Sequence, residues 1–138
     1  AHCLDLFSGS GALGLEALSR GAGKVVFIER NPRAVAALKE NLQLLQATNA
    51  EVHPGDAIAW LRGEAKPFDV IFLDPPFRKD LLNPALGLLA EGGWAAAGAR
   101  VYIEQESELG EPALPPGWVL LRSKKAGQVG YYLAQVGE

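Results

Sequence analysis

Short runs of β-branched, aliphatic and aromatic residues recur along the chain at Cys3–Phe7, Lys24–Glu29, Glu51–His53, Asp69–Asp74, Arg100–Glu104, Trp118–Arg122 and Val129–Gln135. Each reads as a strand. The first four are near-continuous apolar segments, as in Val25-Val26-Phe27-Ile28 and Val70-Ile71-Phe72-Leu73, which suits a parallel sheet covered on both faces. Helical spacing fills the intervals. Asn31-Pro32 supplies an N-cap and a first-turn proline, and Val35, Leu38, Leu42 and Leu45 then share one face. A shorter helix follows Gly11, turns Leu15 and Leu18 inward and ends at Arg20-Gly21, where glycine suits a C-terminal cap. Others are expected over Ala57–Leu61 and Pro84–Ala90, the latter stopped by Gly92-Gly93. Strand alternating with helix predicts an α/β fold, a doubly wound, mostly parallel, seven-stranded Rossmann-like sheet with right-handed crossovers. The last two strands depart from this pattern. Only a short basic stretch and Gly127 separate them, too little for a parallel crossover, so a terminal antiparallel β-hairpin is expected.

Composition narrows the class without changing this picture. The 138 residues, 49% hydrophobic and 21% charged, fit one domain spanning 1–138. No apolar run approaches the ~20 residues a membrane helix needs, and there is no signal-peptide pattern. A lone cysteine, Cys3, forms no internal disulfide, in keeping with a cytoplasmic protein that is expected to be a monomer. There is no methionine, at position 1 or elsewhere, and the chain opens directly on a strand-like run. A segment upstream of Ala1 is therefore expected to be missing from this chain. The net charge of −3 argues against nucleic-acid binding by the whole surface, because phosphate neutralisation needs clustered Lys and Arg.

Chemistry first appears after the first strand, where Gly9-Ser10-Gly11-Ala12-Leu13-Gly14 forms a G-x-G-x-x-G turn into a helix. Such glycines let the backbone approach a ligand, and the helix start offers free N–H groups. Glu29 ends the second strand, where a carboxylate accepts the hydroxyls of a ribose. The bland alternative is a tight turn beside a surface glutamate. These features fit two ligand classes, a dinucleotide and S-adenosylmethionine.

The fourth strand separates the two, because it ends in Asp74-Pro75-Pro76-Phe77 at the sheet edge where open α/β folds bind ligands. Consecutive prolines fix the direction of the Pro75 carbonyl. That carbonyl and the Asp74 carboxylate form an acceptor pair for both hydrogens of an –NH2 group, and Phe77 offers a ring for base stacking. A hydride-transfer enzyme has no use for this array. The plain alternative is a proline-rich strand exit with a capping Asp and a core Phe.

The stretches Asp5–Gly21, Phe27-Ile28-Glu29, Asp74–Phe77 and Gly127–Tyr131 together resemble the RsmD family of bacterial small-subunit (16S) ribosomal RNA guanine-N2 methyltransferases. The resemblance spans essentially the whole chain. It implies a methyltransferase sheet that uses S-adenosylmethionine, with ribosomal RNA, free or in an assembling small subunit, as partner. It further implies that Asp5 and the Phe7-Ser8-Gly9-Ser10-Gly11 turn hold the methionine end of the cofactor and that Glu29 holds its ribose. Asp56, beside Ala57, matches the adenine-contacting position; by itself it reads as an N-cap. The family's arginine-rich segment before the first strand is lacking here.

Remaining polar residues carry less. His2 and His53 have no metal-ligand spacing, and no metal is expected. Trp60, Trp94 and Trp118 read as packing residues, and Cys3 lies in a buried strand pattern. If the end hairpin points its tip to the carboxyl edge, Lys124 and Lys125 join Arg78 and Lys79 as a local basic rim for RNA phosphates. Solvated surface cations are the alternative. Three other functions stay open on these residues: methylation of amino groups in DNA or protein, an NAD-dependent oxidoreductase, and a non-catalytic RNA-binding module.

Overall fold

The structure is a computed structural model that describes residues 1–76 and 79–137. Its elements are β1 (His2–Leu6), α1 (Ala12–Ser19), β2 (Lys24–Glu29), α2 (Pro32–Leu44), β3 (Ala50–Pro54), α3 (Ala57–Leu61), β4 (Phe68–Leu73), α4 (Leu82–Glu91), β5 (Ala95–Glu106), β6 (Val119–Ala126) and β7 (Val129–Gln135), with a 3-10 turn at Ser107–Leu109. The seven strands form one sheet in the order β3-β2-β1-β4-β5-β7-β6. β1 to β5 run parallel. β7 returns antiparallel between β5 and β6, which gives the expected doubly wound sheet with a terminal hairpin.

Alternation along the central strands divides the core. Leu4, Leu6, Ile71, Leu73, Val101 and Ile103 pack on one face with Leu82, Ala85, Leu86 and Leu89 of α4. Cys3, Val25 and Phe27 take the other face, under Leu38 and Leu42 of α2. α2 starts as its sequence dictates: the Asn31 side chain accepts the Arg33 N–H at 2.9 Å and the Ala34 N–H at 3.3 Å, with Pro32 at the first turn. Such a cap contributes ~1 kcal/mol. Trp94 is buried, and its Nε1–H donates to the Leu61 carbonyl at 2.8 Å.

Several element boundaries differ from the sequence reading. α2 ends at Leu44, so Leu45 becomes its cap and is 60% exposed instead of facing inward. Gln46 then takes a positive φ of 54° as the chain turns away. α4 begins at Leu82, with Pro84 tolerated in its first turn. β5 begins at Ala95 rather than Arg100, because pairing with β4 recruits an alanine-glycine stretch of low strand propensity. β6 runs on to Ala126, so the basic stretch expected as a connection is strand. An edge strand tolerates that charge because its outer side faces water.

Candidate active site

The turn after β1 is built from left-handed backbone. Phe7, Gly9 and Gly11 have φ values of 57°, 56° and 82°, and this reverses the chain from β1 into α1. Phe7 is the costly member, since a residue with a Cβ is disfavoured there by ~1–2 kcal/mol. Gly11 and Gly14 have a second reason to be glycine: a Cβ on Gly11 would meet Leu38 Cδ1, and one on Gly14 would meet the Phe27 ring. Close approach of α1 to the sheet thus depends on both. Ser8 tightens the turn, its Oγ donating to the Asp5 carbonyl at 2.6 Å and its N–H to the Ile28 carbonyl at 2.9 Å.

Glu29, at the end of β2, ties this turn to the start of α2. One carboxylate oxygen accepts the Gly9 N–H at 2.6 Å and the other accepts the Asn31 N–H at 2.8 Å. Each oxygen keeps a second lone pair. Glu29 lines a pocket of about 530 Å³ together with Phe7, Asp56, Ala57, Pro76 and Lys79, a size suited to a small-molecule ligand. Asp56 also caps α3, its Oδ2 accepting the Ala59 N–H at 2.9 Å. The N-cap reading of that residue therefore holds, and the same side chain borders the pocket.

Asp5 lies deeper, on the same sheet face as Phe27, and is 2% exposed. Its Oδ2 accepts the Gly14 N–H at 3.0 Å. Burial drives its carboxyl up to about 8, and the negative charges of Asp74 and Glu29 add to the rise against the opposing Gly14 hydrogen bond. Acids at the ends of β2 and β4 thus act on the buried acid of β1 beneath the glycine turn. Neither Asp5 nor Asp74 borders the 530 Å³ pocket.

Asp74 leaves β4 half-buried, followed by a buried Pro75 and an exposed Pro76. Phe77 and Arg78, expected to stack a base and to bind phosphate, lie outside the described residues. Asp74 has a partner that the sequence reading missed: its carboxyl is hydrogen-bonded to that of Glu104 on β5. Burial raises both carboxyls, and the adjacent Asp74 charge helps push Glu104 up to about 7. The pairing of Leu73 with Ile103 across β4 and β5 sets the two acids side by side. The signal in the sequence was an acid closing the apolar Val101-Tyr102-Ile103 run at the same edge as Asp74.

Lys124 and Lys125 are exposed on β6, separated from β4 by β5 and β7. Glu104 pairs with Tyr131, and Tyr131 with Lys124, so Lys124 shares the face of the acid pair. Successive strand residues face opposite sides. Lys125 therefore takes the other face, and the two lysines do not form one patch. Lys79 is exposed and borders the pocket. Among the described residues no helix is long and apolar enough to cross a membrane, and no cluster of His, Cys, Asp or Glu could hold a metal ion.

A family described as Conserved hypothetical protein 95 matches residues 1–135. Ribosomal RNA small subunit methyltransferase D of Escherichia coli strain K12 is 47% identical over 135 residues, covering 98% of this chain and 68% of the relative. The protein of the same name from Haemophilus influenzae is 43% identical over 140 residues, covering 98% and 72%. In three dimensions the Escherichia coli protein yhhF superposes with a TM-score of 0.96 at 46% identity, over 99% of this chain and 76% of that one. TrmN from Thermus thermophilus shares the fold, with a TM-score of 0.78 at 22% identity. With its length matched almost end to end, the chain belongs to the Conserved hypothetical protein 95 family, alongside the small-subunit ribosomal RNA methyltransferases D.

Proposed function

We propose that this chain is the catalytic domain of a methyltransferase that moves a methyl group from S-adenosylmethionine to the exocyclic N2 amine of a guanine in 16S ribosomal RNA. The observation that carries this reading is the charge of the glycine turn. Burial, with the negative charges of Asp74 and Glu29 added, pushes the Asp5 carboxyl up to about 8. A dinucleotide places a pyrophosphate at such a turn, where the Glu29 and Asp74 carboxylates would repel it. S-adenosylmethionine brings a sulfonium and an ammonium, whose charges suit them. When bound, it supplies an electrophilic methyl carbon on a good leaving group.

The chain's own residues then have to bind, orient and exclude. Asp5 and the Phe7–Gly11 turn, with Ser8 and Gly9, would face the methionine end. Glu29 would accept the ribose hydroxyls on its remaining lone pairs, and Asp56 with Ala57 would border the adenine. Asp74 and the Pro75 carbonyl would accept the N–H groups of the target amine, aligning its nitrogen for attack, with Phe77 stacking the base. A paired guanine hides its N2, so the base enters unpaired or flipped out. Arg78, Lys79, Lys124 and Lys125 are the cations proposed for neighbouring phosphates.

Nucleoside analysis of small-subunit ribosomal RNA from cells lacking this protein tests the reading. One N2-methylguanosine should disappear and return on complementation. An unchanged nucleoside profile would overturn it.

A further inference from the structure

Two carboxyl groups within hydrogen-bonding reach must hold a proton between them, because two carboxylates present only acceptors to each other. Asp74 and Glu104 are such a pair, and their placement is built into the sheet. The β4–β5 register sets them adjacent, alternation puts both on the face that carries Asp5, and both are half-buried at the carboxyl edge. We propose that Glu104 is a positioning residue for amine methylation, donating a proton to one oxygen of Asp74 so that the other stays anionic and oriented toward the substrate –NH2. This rests on the function proposed above.

The placement of the two acids supports the assignment. Glu104 is held within β5 by its pairing with Tyr131, whereas Asp74 leaves β4 at the edge where open α/β sheets bind ligands. Glu104 thereby does for Asp74 what a single unpaired carboxylate cannot: it fixes the rotamer while leaving one acceptor free. In the transfer step the amine nitrogen forms the N–C bond, and the electron pair of the S–C bond leaves with sulfur. One N–H proton passes to the free Asp74 oxygen. The pair then holds two protons and returns one to solvent, so charge and atoms balance. The ionisable groups facing Glu104 are Asp74 on β4, Tyr131 opposite it on β7 and Lys124 beyond on β6, with Glu106 two residues along its own strand.

Two limbs of a pH profile follow. At low pH both acids are protonated and Asp74 cannot take the proton; above about 7 Glu104 loses its proton, and repulsion releases Asp74. The rate of methyl transfer to ribosomal RNA should therefore be bell-shaped. Glu104→Gln keeps a donor that does not titrate, so it should retain most activity and lose the alkaline limb. Glu104→Ala should lower kcat by ~10–100-fold with S-adenosylhomocysteine affinity unchanged, as expected for loss of a preorganised contact.

A second readout does not depend on turnover. In protein with ¹³C-labelled side-chain carboxyls, a glutamate resonance that vanishes in Glu104→Gln should titrate near pH 7. In Asp74→Asn it should move toward the ordinary glutamate range, because the neighbouring charge and the acceptor oxygen change together. If that resonance titrates as an ordinary glutamate in the unmodified protein, the shared proton does not exist and the inference falls. It falls equally if Glu104→Gln leaves both limbs of the profile intact. Should the unmodified protein fail to methylate ribosomal RNA while the resonance still titrates near pH 7, the shared proton is supported and only the proposed substrate is wrong.

Discussion

Replacing Asp5 by Asn isolates the electrostatic cost of the turn. In the folded protein this carboxyl is raised by burial, with Asp74 and Glu29 adding to the rise, from 3.8 to about 8. Between those values the folded state keeps a proton that the unfolded chain has released. Stability is therefore fully present below the unfolded value and is lost as pH climbs through the folded one, by ~1.4 kcal/mol per pH unit. From pH 5 to pH 7 that amounts to roughly 3 kcal/mol, a large part of the 5–15 kcal/mol typical of a domain. Asn keeps the acceptor for the Gly14 N–H and has nothing to titrate. Its stability advantage over the unmodified protein should thus widen by roughly 3 kcal/mol across the same interval. Glu104 shifts in the same direction but is present in both proteins, so the difference reports Asp5. Urea unfolding at pH 5, 6 and 7 with a common m-value measures it. Parallel stability curves for the two proteins would refute the reasoning and show Asp5 ionised throughout.

Three further outcomes are expected. Glu29→Ala should weaken S-adenosylhomocysteine binding by ~1.5–3 kcal/mol, read by calorimetry, and NAD should not bind either protein. Gly14→Ala should destabilise the fold by ~1–3 kcal/mol in thermal unfolding, because its Cβ would meet the Phe27 ring. Lys124→Ala combined with Lys125→Ala should weaken RNA binding and flatten the dependence of log K on log salt by ~0.7 per lost phosphate contact. Since the two lysines face opposite sides of β6, Lys124→Ala alone should account for most of any change at the face of the acid pair.

What was legible in the sequence follows from how local each signal is. Val25–Ile28 and Val70–Leu73 marked buried parallel strands by composition alone, and Asn31-Pro32 fixed the start of α2 through neighbours two and three residues away. Gly127 marked the hairpin because no crossover fits so short a gap. Features that depend on distant pairing were hidden. Glu104 meets Asp74 only through a strand register across thirty positions of chain, 74 to 104, and Ala95–Gly98 joins β5 only because a neighbour supplies the ladder. Glu29 was legible as an acid ending a strand, but its bonds to Gly9 and Asn31 required the turn to be folded. Ser123–Ala126 reads as a connection because charge is rare in central strands; at the sheet edge that objection lapses.

The exit of β4 is proposed to hold the target amine and not the cofactor. Single-turnover transfer from methyl-labelled S-adenosylmethionine to small-subunit ribosomal RNA, followed by nucleoside digestion, tests it when unmodified protein is compared with Asp74→Ala. The unmodified protein should place label in N2-methylguanosine. Asp74→Ala should slow that transfer ~100-fold or more with S-adenosylhomocysteine affinity nearly unchanged. Label in another nucleoside, or transfer and cofactor affinity falling together, would contradict the account.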